Sequence, residues 1–185
     1  RLDPRRGGNL FSAGACRVRA TCPEEARGLV PSVGGEKPTA TCLSGLFNIS
    51  GLDISSIADG SHSMSAVLTD VAGNSQTANR GIVKDTVVPT VAIVTPAPGS
   101  YMNANNESAF SLAGTCSDSG SPVDIFVEGS FHSSTTCLAG TFSTVLNLVP
   151  IIDGPLTLMA QAVDSAGNTN SASRTITKDT VPPVA

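Results

Sequence analysis

Asp70-Val71-Ala72-Gly73-Asn74-Ser75-Gln76-Thr77-Ala78-Asn79-Arg80-Gly81-Ile82-Val83-Lys84-Asp85-Thr86 is the stretch on which the fold turns. It returns 94 residues later as Asp164-Ser165-Ala166-Gly167-Asn168-Thr169-Asn170-Ser171-Ala172-Ser173-Arg174-Thr175-Ile176-Thr177-Lys178-Asp179-Thr180, identical at 10 of 17 positions. Self-similarity at a fixed spacing marks a repeated structural unit. The register extends upstream: Asp59-Gly60 matches Asp153-Gly154 and Cys22 matches Cys116 at the same spacing, while Thr41-Cys42-Leu43 matches Thr136-Cys137-Leu138 at 95. Two copies follow, residues 1–86 and residues 87–181, each long enough to bury a core of its own. Residues 182–185 resemble the opening of a next copy, and position 1 falls opposite Thr95, so the first copy lacks a counterpart to Pro89 through Val94. Residues 1–37 hold seven of the 11 Lys and Arg and match the second copy thinly.

Inside each copy the apolar residues keep a period of two. Met64, Ala66 and Leu68 alternate with polar neighbours, as do Leu158, Ala160 and Ala162, and Ala78, Arg80, Ile82 and Lys84 recur unchanged at Ala172, Arg174, Ile176 and Lys178. That alternation is the mark of half-buried strands. Asp-x-Ala-Gly-Asn between two such runs reads as a hairpin loop, with Gly and Asn supplying positive φ. Strands are expected in the second copy near 90–96, 108–116, 122–128, 133–138, 141–148, 156–163 and 170–178. The expected fold is all-β: two tandem immunoglobulin-like antiparallel β-sandwich domains.

Composition excludes several functions. Only 14% of the 185 residues are charged, the formal net charge is −4, and six Phe, one Tyr and no Trp leave few rings for bases to stack on, so nucleic-acid binding is not expected. A 40% hydrophobic content with low net charge argues against disorder, and no apolar run is long enough to insert in a membrane. No Gly-x-Ser-x-Gly, His-Glu-x-x-His or Gly-x-x-x-x-Gly-Lys pattern occurs, so no catalytic residue is nominated. His62 has Leu156 as its counterpart in the second copy and, like His132, is read as a surface or packing residue; Asp118 and Asp124 are read as solvated loop carboxylates rather than an acid/base couple. Asn48-Ile49-Ser50 and Asn106-Glu107-Ser108 fit the glycosylation sequon without further support.

Asp-x-Ala-Gly-Asn followed about ten residues later by Lys-Asp-Thr-Val-x-Pro, used twice head to tail, resembles the bacterial immunoglobulin-like (Big-type) repeats of large surface adhesins and biofilm-associated proteins. The resemblance covers the last forty or so residues of each copy. It implies an extracellular or bacterial cell-surface setting, with neighbouring repeats or identical subunits as partners and a host, prey or surface ligand left open.

Cys22 and Cys42, and Cys116 and Cys137, occupy equivalent places, which argues for one disulfide per copy; reduced core thiols are the competing reading. Zinc has no supporting spacing. Cys16 is left over and aligns with the inward Phe110, as a buried free thiol. Asp118, Asp164 and Asn168 fall in loops expected at the pole where Asp85 enters, an oxygen-rich set suited to Ca²⁺, and some of the adhesin repeats bind calcium between domains. The same residues equally suit turn capping. No cofactor is required otherwise.

Three functions remain. The first is a rigid, disulfide-stapled spacer in a secreted or surface-anchored fibre or adhesin. The second is a filament subunit joined head to tail by strand complementation between chains, since a missing first strand and a surplus strand start are complementary. The third is a carbohydrate-binding accessory module, against which stands the need for exposed aromatics: with no Trp and one Tyr, Tyr101, the chain offers few.

Overall fold

The computed structural model describes residues 10–11, 15–22, 28–32 and 44–184. The chain divides into two compact units, Arg1–Val87 and Val88–Ala185. In the first, the described strands are β1 (Leu10–Phe11), β2 (Ala15–Thr21), β3 (Gly28–Ser32), β4 (Leu46–Asp53), β5 (Gly60–Thr69) and β6 (Ser75–Lys84). One sheet has the order β1-β6-β5-β3, and β2 pairs with β4 in another. All these pairings are antiparallel except β1 with β6. Met64, Ala66 and Ile82 are buried in the first sheet and Phe47 in the second, as the period of two requires.

The second unit adds β7 (Val91–Thr95), β8 (Tyr101–Met102), β9 (Phe110–Cys116), β10 (Pro122–Val127), β11 (Ser130–Thr136), β12 (Thr141–Leu146), β13 (Gly154–Val163) and β14 (Thr169–Lys178), with one short 3-10 turn at Glu107–Ala109. Two sheets form, β12-β9-β7 and β11-β10-β13-β14-β8. Leu112, Phe142 and Leu146 from the first pack into one core with Ile125, Leu158 and Ile176 from the second. Two antiparallel sheets closed over a shared apolar layer make a β-sandwich. Its chain enters in one sheet through β7 and crosses to the other, where β8 runs parallel to β14.

Repeat and structure agree in register. The Cys22 amide donates to the Gly45 carbonyl at 2.9 Å, and the Cys116 amide to Gly140 at 3.0 Å. Beside them Ser44-Gly45 (φ 51° and 77°) and Ala139-Gly140 (φ 49° and 83°) both carry the paired positive φ of a tight hairpin turn. Several sequence expectations need correction. The strand expected from 108 begins at Phe110 after the 3-10 turn, and that expected at 133–138 runs over Ser130–Thr136. The two-residue strands β1 and β8 were not expected. Residues 182–184 carry no strand, as residues 88–90 ahead of β7 carry none. No described strand flanks β2 as β7 flanks β9. The side chain of Cys16 and most of residues 1–37 lie outside the described residues.

Candidate functional site: a lysine clasp and its turn carboxylates

The identical Lys-Asp-Thr-Val segments form one device, built twice. Lys84 and Lys178 occupy inward positions at the ends of β6 and β14 and are only 7% and 3% exposed. An ammonium carries three donors and must find acceptors when buried. The Lys178 Nζ donates to the carbonyls of Leu148 (2.9 Å), Val149 (3.3 Å) and Ile151 (2.6 Å) and lies 2.6 Å from Glu107 Oε2. The Lys84 Nζ donates to the carbonyls of Ser55 (3.1 Å) and Ile57 (2.7 Å). Each lysine thereby ties its unit's last strand to the loop ahead of the preceding strand.

Two residues on, a threonine repeats the tie. The Thr86 amide and hydroxyl both donate to Asp59 Oδ2, at 2.9 and 2.8 Å. The Thr180 amide donates to Asp153 Oδ2 at 2.9 Å, and its hydroxyl lies within reach of both carboxylate oxygens. These bonds, the backbone amide first and the hydroxyl second, hold both carboxyls below the usual 3.8. Between them Asp85 Oδ1 accepts from the Val87 amide at 3.0 Å, and Asp179 Oδ1 from Val181 at 3.1 Å.

The Asp-x-Ala-Gly-Asn loops are capped from within. Asp70 Oδ1 accepts from the Asn74 amide and Oδ2 from its Nδ2, both at 2.8 Å. Asp164 Oδ1 accepts from Ala166 (2.9 Å) and Asn168 (2.8 Å), and Oδ2 from Asn168 Nδ2 at 2.8 Å. Burial pushes the Asp164 carboxyl up, but its bonds to the Asn168 side chain and to the loop amides outweigh that and leave it low.

Asp118 accepts from the Ser117 hydroxyl at 3.3 Å. Of the four residues nominated for Ca²⁺, Asp164 and Asn168 are therefore bonded to each other, while Asp85 and Asp118 each accept a bond from within two residues. Among the described residues no three His, Cys, Asp or Glu side chains group so as to hold a metal. In this arrangement Asp164 and Asn168 cap their own loop, one through its carboxylate and the other through its backbone amide and side-chain nitrogen.

Cys116 and Cys137 form a disulfide with Cα atoms 6.0 Å apart, closing the β9–β11 segment. Cys22 is disulfide-bonded too, and Cys42, expected as its partner, lies outside the described residues. His62 Nε2 lies 2.7 Å from the Ala58 carbonyl and His132 Nε2 3.3 Å from that of Asn147, both in local surface contacts. No described helix is long and apolar enough to cross a membrane.

The connection between the units is short when measured by its anchors. Thr86 and Val87 are bonded within the first unit. In the second, the Pro89 carbonyl accepts from Asn170 Nδ2, the Thr90 amide donates to Ser117 Oγ and the Ser117 amide to the Thr90 carbonyl. Val88 alone stands between those anchors. The sequence reading placed the lysine in a strand and the rest in a linker, and missed the clasp. Its signal was an inward-alternating lysine kept in both copies.

Comparison with known structures places the fold. Over 97% of this chain and 93% of the other, the molecule superposes on the fibronectin(III)-like modules of CbhA from Clostridium thermocellum with a TM-score of 0.61 and 18% identity. That likeness shows that the chain has a β-sandwich fold similar to that of those modules. Weaker similarities are to a tetra-tandem repeat from the extending region of a large adhesion protein (24% identity, TM-score 0.45, 92% of this chain and 48% of that one) and to a 1.5-MDa bacterial ice-binding adhesin (19%, TM-score 0.49, 97% and 63%). The chain thus spans about half to two thirds of those adhesin structures. No protein-family model and no curated protein matches the sequence.

Proposed function

We propose that this chain is a tandem pair of immunoglobulin-like β-sandwich domains serving as a disulfide-stapled spacer in an extracellular bacterial fibre or adhesin, with like domains as its neighbours. The observation that carries the reading is the clasp built twice. In each unit the last strand is tied at its exit by a buried lysine, a threonine–aspartate pair and an Asx turn, where a chain under tension is pulled. The single residue between the anchors, followed by Pro89 with its fixed φ, restricts bending further. The disulfide suits an oxidising, extracellular setting.

Pulling the chain by its ends is the test. Two unfolding events of comparable high force are expected in wild type, with the second lowered by Lys178→Met; a chain that extends at low force without two events would overturn the spacer. The strand-complemented filament is separated by deleting residues 181–185, which abolishes assembly in a filament and changes neither event in a spacer. Calcium plays no part in the stiffness argued here. A rise in the thermal midpoint on adding Ca²⁺ would give the ion a role, and no rise would leave the four residues as turn caps.

A further inference from the structure

The β10–β11 hairpin of the second unit slips register between Ile125 and Phe126, and the slip sets Phe126 opposite Phe131. Their rings meet edge to face, centroids 5.8 Å apart and planes at 81°. On its other side Phe126 stands opposite Met159 of β13. Phe126 and Met159 alternate with the buried Ile125, Val127, Leu158 and Ala160, so both lie on the solvent side of the sheet, and Phe131 is 61% exposed. An apolar row of three side chains thus crosses three adjacent strands, about 10 Å at the usual strand spacing. The next outward row, two residues along, is polar: Ser134 opposite Asp124, and Asp124 opposite Gln161.

The scaffold does not require this row. At the equivalent register of the first unit Phe126 and Met159 are replaced by Ser32 and Ser65, paired across β3 and β5 with hydroxyls 2.7 Å apart. The turns and clasp are kept in both copies while this outward row is not.

Size and charge choose the occupant. Three partly exposed side chains offer a few hundred Å² at most, well short of the roughly 800 Å² per partner of a stable protein interface. The row matches two or three sugar rings. Both cations among the unit's described residues turn inward, Lys178 into the clasp and Arg174 onto the Ile93 carbonyl. The face therefore presents Asp124 and, at the hairpin turn, Glu128 without an opposing cation, an environment that accepts hydroxyls and repels acidic sugars.

We propose that the outward face of the β11-β10-β13 sheet is a glycan-binding surface, taking the C–H face of an uncharged pyranose chain on Phe126, Phe131 and Met159 and its hydroxyls on Asp124 and Gln161. It is independent of the spacer reading, since a free-standing module could use the same face.

The test is an NMR titration of the whole chain with cellohexaose, chitohexaose and an oligogalacturonate at millimolar concentration. The two neutral oligomers separate a glucan from an N-acetylglucosamine source, and a response to either supports the site. Shifts are expected at Phe126, Phe131 and the Met159 methyl but not at Ser32 or Ser65, and none with the acidic oligomer. Phe131→Ala should weaken binding about tenfold, the size of one lost aromatic contact, in a chain that still folds. Met159→Ser, the first unit's own residue, is the second variant and should weaken binding too. Silence toward both neutral oligomers, shifts centred elsewhere, an equal response to the oligogalacturonate, or indifference to both substitutions would overturn the assignment.

Discussion

Lysine is costly to bury, and Lys178 is tolerated because every donor of its ammonium finds an oxygen. Lys178→Met keeps much of the length of the side chain and removes the charge, stranding Glu107 and the carbonyls of Leu148, Val149 and Ile151. Orphaning one side of a buried, fully bonded charge typically costs 3–5 kcal/mol, so a loss of about 3 kcal/mol is expected for the second unit. Lys84→Met should cost its own unit less, since the bonds described for Lys84 reach two carbonyls and no carboxylate. Tyr101, the one tyrosine in a chain without Trp, reports the second unit's urea transition by its fluorescence. A Lys178→Met midpoint equal to wild type would mean that water replaces the clasp at no loss.

The same segments set the acid limb of stability. Asp59 and Asp153 titrate below 3.8 when folded because their threonine bonds favour the carboxylate. A folded-state value below the unfolded one contributes stability that is complete above about pH 4 and is lost as pH falls through 3.8 toward the folded value. Asp153→Asn should therefore lower stability at neutral pH and flatten the fall below about pH 4; an unchanged acid limb would place the proton-sensitive groups elsewhere.

At the level of strands, β7 lies against its antiparallel neighbour β9 most closely at Gly114, opposite Ile93. A Cβ at Gly114 would lie 1.9 Å from the Ala92 carbonyl oxygen and 2.6 Å from Phe142 Cε1, distances no side chain can occupy. The first copy has Ala20 at the matching position, and no described strand flanks β2 on that side. Gly114→Ala should thus force β7 off the sheet and cost the second unit about 3 kcal/mol, the range of overpacked cores. An unmoved Tyr101 transition would show that β7 yields cheaply.

The same comparison shows what a sequence can disclose. Long strands such as β13 and β14 were legible because ten residues give five repeats of a two-residue period, and the Asp-x-Ala-Gly-Asn turn because its chemistry is local. β8 was illegible: two residues carry no period, and its pairing with β14 is a tertiary choice. The Phe126–Phe131 pair was hidden for a related reason, since it depends on a one-residue slip that strict alternation does not anticipate. Of the residues read as calcium ligands, Asp164 and Asn168 were correctly placed in one loop, yet the alternative of turn capping describes the bonds they make.

Across the whole molecule the decisive length is that of the connection. Thr86 and Val87 are held within one unit and Pro89 and Thr90 within the other, which leaves Val88 as the residue between the two sets of bonds. Inserting a Gly-Ser-Gly-Ser segment after Val88 leaves both sets of anchors intact while adding flexible chain, whose reach grows with the square root of its length. Each unit should then unfold as in wild type, while the distance distribution between spin labels, one in each unit, broadens markedly. Asn170→Ala, which frees the Pro89 carbonyl, should broaden it by a smaller amount. If the wild-type distribution is already as broad as the inserted one, the anchors do not restrain the joint, and the clasps serve only the stability of the unit that contains them.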